Sequence, residues 1–198
     1  MNQSPKSKEL IAGLIEAQQR RIGMADATTT ANLIDALFKA NGVDYAIIGG
    51  YAVQKYGYVR FTHDLDVVVR DRGCARELMV ASGDFKAVPG SQRTVIDRAT
   101  GVQVDLLPAN RVDSPGGEPY PEPADSSGLG IKFVTLPQLI ALKLSTGRAK
   151  DIADVVELIK ANELGEEFAA ADLPARLAYK YLSIWAQAAN EADIPQPD

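Results

Sequence analysis

The chain carries a single cysteine among 198 residues. That residue, Cys74, rules out an intrachain disulfide framework and fits a reducing compartment. Excess positive charge is also missing: 21 Lys and Arg stand against 26 Asp and Glu, a net charge of -5. A broad polyanion-binding surface is therefore not expected, although a local basic groove is compatible with the balance. No apolar run approaches the roughly 20 residues that span a bilayer. No apolar segment follows the polar start Met1 to Lys8, so no secretory leader is expected and the location expected is cytoplasmic. Internal repeats are absent too. What is present is ordinary for a soluble globular protein: 46% apolar and 24% charged residues, with enough length to bury a core without staples.

The informative stretch begins at Ile47-Ile48-Gly49-Gly50-Tyr51-Ala52-Val53 and ends at Arg60-Phe61-Thr62-His63-Asp64-Leu65-Asp66-Val67-Val68-Val69. It reads as a buried strand over 43–48, a glycine turn, a short helix over 51–56 stopped by Gly57, and a second strand over 64–69. On that strand Asp64 and Asp66 point to the same face, and the three valines indicate burial on both faces. Val102 to Leu107 reads as a later strand that carries one acid, Asp105, among apolar residues. An unpaired carboxylate there is costly to bury, and a metal would relieve that cost. His63, the only histidine, points to the strand face opposite Asp64 and is not taken as a ligand.

Around this centre the periodicities predict a helix from Ser4-Pro5 to Gly23, a loop over 24–30, and a helix striped by Leu33, Ile34, Leu37 and Phe38. A helix over 73–82 and strands over 85–88 and 93–97 follow. Pro108 to Gly130, with five prolines and four glycines, reads as a loop or a mobile flap. A short strand is expected over 131–134. Thr135-x-x-Gln138 is a capping box for a helix that Gly147 ends. Two more helices follow, one striped by Ile152, Val155, Val156 and Ile159, the last opened by Asp172-Leu173-Pro174. The tail from Pro195 reads as frayed. The fold class is thus α+β, a mixed sheet flanked by helices, with N-terminal helices and a C-terminal helical segment. One domain over 1–198 is expected, with a core at about 29–134 and a helical part at about 135–192.

Phosphoryl chemistry puts negative charge on non-bridging oxygens, which carboxylate-held Mg²⁺ and backbone N–H groups can meet. Asp64 and Asp66 can share a metal, and Gly49-Gly50 lets backbone approach a phosphate. Lys143 shares the apolar face of its helix with Leu139 and Ile140, so a phosphate or a carboxylate should meet it. Asp151, at the start of the next helix, is placed to pair with it. Arg60 and Thr62 precede the acidic pair, one suited to contact a triphosphate, the other to cap the approach.

The run Gly49-Gly50-Tyr51-Ala52 … Arg60-x-Thr62-x-Asp64-x-Asp66 resembles the polymerase-beta-like nucleotidyltransferase superfamily, and more closely its minimal, toxin-like members. It is also similar to small aminoglycoside and lincosamide nucleotidyltransferases. The resemblance is specific from about 43 to 69 and supportive through 107 and over 133–159. It implies the nucleotidyltransferase fold, a nucleoside triphosphate such as ATP as donor, Mg²⁺ or Mn²⁺, and transfer of a nucleoside monophosphate to an acceptor hydroxyl. By position Asp64, Asp66 and Asp105 match the metal-binding, catalytic triad. Gly49 and Gly50 match the phosphate turn, and Lys143 and Asp151 match a lysine and acid of the toxin-like members. Arg60, Thr62, Lys143 and Asp151 join the glycines as candidate nucleotide-binding residues. The acceptor is open: an RNA or tRNA end, a protein, or a small molecule. A groove of Arg60, Lys143, Arg148 and Lys150 would suit a 3′ end. An acidic loop of Glu118, Glu122 and Asp125 would suit an aminoglycoside. A toxin-like role with an antitoxin partner is one expectation, and a non-catalytic nucleotide-binding module is the alternative.

Overall fold

Val67, Val68 and Val69 have no exposed surface, so the strand that holds them is covered on both faces. A computed structural model describes residues 26–113, 115–124 and 127–192. The expected first helix at 4–23, Asp125 and the tail from 195 lie outside those residues. Five strands form one sheet: β1 (Tyr45–Ile48), β2 (Asp64–Val69), β3 (Phe85–Ala87), β4 (Thr94–Asp97) and β5 (Gln103–Pro108), in the order β1-β2-β5-β4-β3. The β2–β5 pair is parallel and the other three are antiparallel. The sheet is therefore mixed, as expected, and the fold is α+β.

The two faces of the sheet are covered by different helices. Ile47, Leu65, Val67, Val104 and Leu106 pack against α1 (residues 26–40) and α3 (Arg72–Ala81). Ile48, Val68 and Leu107 face the other way, toward α4 (Leu136–Thr146), α5 (Ala149–Ala161), α6 (Phe168–Ala171) and α7 (Ala175–Ala192). The side-chain period of two makes this division. It puts Asp64, Asp66 and Asp105, in phase with Val68 and Leu107, on the face under α4 and α5. A short helix, α2 (Gly49–Lys55), leaves β1 at once, because Gly49 takes a left-handed φ of 68°.

Helix α1 already runs at Asp26, where a loop to Thr30 was expected. Ala27, Thr30 and Ala31 continue the buried stripe of Ile34 and Phe38 with small side chains. Helix α4 opens with the expected capping box: the Thr135 hydroxyl accepts from the Gln138 N–H, and Gln138 accepts from the Thr135 N–H. The expected strand over 131–134 reduces to a single bridge, Phe133 to Ile47. The described part of the loop after β5 contacts the body of the fold. Tyr120 is buried, its N–H bonds Arg111 O, and Arg176 pairs with Glu118. Among the described residues no helix is long and apolar enough to cross a membrane.

Candidate active site

Register brings the acids together. Asp66 lies opposite Asp105 across the parallel pair and opposite Ile48 across the antiparallel one, while Asp105 lies opposite Thr94. One row thus crosses the sheet: Ile48, Asp66, Asp105, Thr94. All nine residues singled out from the sequence, from Gly49 to Asp151, line one cleft of about 330 Å³ between this row, the docked loop and α4–α5. That volume is at the small end of the range for ligand sites, about 300–1,000 Å³.

The glycine pair has a steric reason that requires no ligand. A Cβ on Gly49 would sit 2.1 Å from Asp66 Oδ2. A Cβ on Gly50 would sit 2.7 Å from Thr62 Oγ1 and 3.0 Å from the Arg60 guanidinium. Both positions must lack a side chain for Asp66, Thr62 and Arg60 to close on the turn. Thr62, itself buried, donates from Oγ1 to Asp64 Oδ1 at 2.9 Å and so orients the first acid.

Burial pushes the Asp66 carboxyl up, and the neighbouring Asp64 and Asp105 push it further. Arg93 and Lys143 offset only part of this, which leaves Asp66 at about 6. Asp66 and Asp105 abreast, with Asp64 two residues along the same face, form a pocket of negative potential, the condition that a divalent cation relieves. Asp105 is the most engaged of the three. Its Oδ2 accepts from Arg93 Nη2 at 2.5 Å and its Oδ1 from the Thr94 hydroxyl at 2.7 Å. As the side chains stand, no three His, Cys, Asp or Glu residues among those described are arranged to hold a metal ion. Asp64 and Asp66 sit side by side on one strand face with no cation among the described residues bonded to either, whereas both oxygens of Asp105 are already engaged by Arg93 and Thr94.

On the opposite wall Lys143 is buried, and carboxylates meet it. Its Nζ lies 3.1 Å from Asp151 Oδ1 and 2.6 Å from Asp154 Oδ2. Arg60 forks onto the same Asp154, with Nε at 2.6 Å and Nη2 at 2.9 Å. Arg148 and the Thr146 hydroxyl both donate to Asp151 Oδ2 at 2.6 Å. Burial raises the Asp151 carboxyl, but the Thr146 hydroxyl and the two cations more than offset it and hold it below the usual range. Arg60 and Lys143 are therefore spent on carboxylates, and the basic groove expected from them with Arg148 and Lys150 reduces to Lys150, which is exposed and has no partner among the described residues.

Asp154 was absent from the expected site. The signal was there: it follows Asp151 by three residues, so both fall on one helix face, and that face is the buried one. Arg93 and Thr94 were missed as well, since only strand register brings them to Asp105. The acidic loop resolves differently from expectation. Glu118 lines the cleft but is held by Arg176, and Glu122 pairs with Arg70 and Asn110. His63 packs edge-on against Phe61 at 4.1 Å, and Tyr51 packs beside Phe133 with its hydroxyl donating to Thr28.

No protein-family model matches the chain, and no curated protein matches it by sequence. Several solved structures are similar in shape, two of them as follows. One is the solution structure of the antibiotic-resistance factor ANT(2″)-Ia, at TM-score 0.49 and 15% identity, covering 84% of this chain and 96% of that one. The other is a tRNA nucleotidyltransferase complexed with a primer tRNA and an incoming ATP analog, at TM-score 0.37 and 16% identity, covering 80% of this chain and 50% of that one. Both neighbours are nucleotidyltransferases.

Proposed function

We propose that this chain is a divalent-metal-dependent nucleotidyltransferase that moves a nucleoside monophosphate from a nucleoside triphosphate to an acceptor hydroxyl. The observation that carries the reading is the set of acids gathered beside the glycine turn, with Asp66 raised to about 6 by burial and then by Asp64 and Asp105. Asp64 and Asp66 would hold Mg²⁺ or Mn²⁺, and Asp105 would complete the set. A metal there supplies charge neutralisation for the phosphates. Thr62 keeps the Asp64 carboxylate turned toward the cleft, and Gly49-Gly50 lets the turn close on Asp66 and Thr62, which brings its backbone to the edge of the cleft where a phosphate would lie. The acceptor oxygen bonds to the α-phosphorus, the α–β bridging bond breaks, and pyrophosphate leaves with the electron pair. The hydroxyl proton passes to a carboxylate of the row or to water.

ATP binding, the toxin-like role and an antitoxin partner belong to this proposal through the sequence resemblance, and a cytoplasmic location through the single cysteine and the polar start of the chain. Lys143 and Asp151 enter it in a changed sense. They build the cleft wall through Asp154 and Arg60, and phosphate contact falls to the residues facing the row. The Arg93–Asp105 pair favours a second reading, a nucleotide-binding module without turnover, because it engages the third acid.

Labelled triphosphates with Mg²⁺ or Mn²⁺, offered with an oligoribonucleotide, a protein and an aminoglycoside, test the assignment. Transfer is expected, with Asp64→Asn and Asp66→Asn each losing at least about 100-fold, the scale of several kcal/mol of charge stabilisation. Nucleotide binding without pyrophosphate release would select the module. No nucleotide binding at all, with both variants unchanged, would sink both readings.

A further inference from the structure

A second cavity, also of about 330 Å³, adjoins the cleft at the carboxyl ends of β2 and β5. The two share Arg93, Leu107, Asp113 and Tyr120 as lining, so they form one continuous depression with two lobes. The lobes differ in available charge. In the first, four of five cations are bound to acids: Arg60, Lys143 and Arg148 to Asp154 and Asp151, and Arg93 to Asp105. In the second, Arg72 and Arg111 join Arg93, and neither has a partner among the described residues. The single acid there, Asp113, accepts the Tyr120 hydroxyl. This lobe therefore holds two uncommitted guanidiniums, groups whose planar fork matches phosphate oxygens.

Position adds a second constraint. The glycine turn lies on the β1 side of Asp66, whereas Arg93 holds Asp105 on the β5 side, and Arg111 after β5 and Arg72 after β2 line the same lobe as Arg93. In phosphoryl transfer the attacking and leaving oxygens are roughly in line across the phosphorus. A donor with its leaving phosphates by the glycine turn is attacked from the arginine side. We infer that Arg72, Arg93 and Arg111 form a phosphate subsite for the acceptor, which is a single-stranded nucleic acid presenting its terminal hydroxyl to the acid row. The inference rests on the transferase reading and names its acceptor class. A polycationic acceptor would meet three arginines on this side, and the loop acids Glu118 and Glu122 are bound to Arg176 and Arg70. The chain's net charge of -5 fits a local anion site with no extended basic face.

Binding of a short 5′-labelled oligoribonucleotide with a free 3′ hydroxyl, followed by fluorescence anisotropy across a salt series, tests this on the full chain. Arg72→Gln with Arg111→Gln should weaken binding at least about tenfold at low salt. It should also reduce the slope of log K against log salt by about 1 to 1.5, two contacts at about 0.7 each. Arg72→Lys with Arg111→Lys should restore most of the slope, and melting temperatures should match wild type, since both side chains are unpaired. Calorimetry with ATP should give affinities within about twofold of wild type. An unchanged oligonucleotide affinity and slope, or a wild-type chain that does not bind the oligonucleotide at all, overturns the inference. A fall in ATP affinity alone overturns it also and assigns the arginines to the donor's phosphate tail. Oligonucleotide binding is read without turnover, so failure of the transfer reaction in the earlier assay is distinguishable from failure here.

Discussion

Lys143→Met keeps the length and most of the apolar stem of the side chain and removes its charge. The Lys143 and Asp154 side chains are 6% and 1% exposed, and Asp151 is 7% exposed. Removing one partner of a buried ion pair costs about 3–5 kcal/mol, because the other charge is left without compensation. Here both acids keep a cation, Asp154 through Arg60 and Asp151 through Arg148, so the lower figure applies, about 3 kcal/mol. Asp154→Leu is the harsher change. It strips Arg60 of its carboxylate and leaves Lys143 with Asp151 alone, and the cost should approach about 5 kcal/mol. For a chain of this length, about 2–4 °C of Tm per kcal/mol converts these to drops of about 6–12 °C and 10–20 °C. The double variant should cost close to Asp154→Leu alone, which makes the two changes non-additive by about 3 kcal/mol. Urea unfolding monitored by circular dichroism measures all three, with an unchanged m-value as the control that only stability moved. A Lys143→Met cost under about 1 kcal/mol, or additive effects, would refute a shared buried network.

Three further outcomes are expected. Gly49→Ala combines an unfavourable φ of 68° with a Cβ 2.1 Å from Asp66 Oδ2; it should lose about 1–2 kcal/mol for the backbone alone and weaken Mn²⁺ binding measured by calorimetry, while Gly42→Ala, also at positive φ but in open space, should lose only stability. In chelator-treated protein Asp66 is raised from its ordinary value to about 6, so between about pH 4 and 6 the folded state binds more protons than the unfolded one. Stability should therefore fall as pH rises through that window, and Asp66→Asn should flatten the slope. Thr135→Ala removes the α4 capping box and should cost about 1 kcal/mol in the same urea assay, without a change in metal affinity.

Strand β2 was legible to the residue because two signals coincided there: three valines that need cover on both faces, and two acids in phase on one. The end of α4 was legible because Gly147 takes the left-handed cap that its helix needs. Helix α1 was cut short because its first buried positions are Ala27, Thr30 and Ala31, small residues that carry little hydrophobic signal although they pack fully. Helix α6, four residues long, has no room to show a period. The nine candidate residues do share one cleft, but their partners were hidden to different degrees. Asp154 could have been found from helical spacing. Arg93 could not, because its contact with Asp105 depends on which strand lies beside β5, and pairing of strands is written in no local pattern.

The parallel pairing of β2 with β5 also has a consequence for how the site comes into being. Asp66 and Asp105 are far apart along the chain, and between them lie α3 and the β3–β4 hairpin, so the acid row appears only after a large loop has closed. Local opening that detaches β5 removes Asp105 and its Arg93 contact together and uncovers one side of Asp66, whose burial is the main cause of its raised carboxyl. The complete row does not persist through such an opening. Availability of the site is in this way tied to the most non-local pairing in the sheet, which makes the cleft a reporter on the chain's global fold.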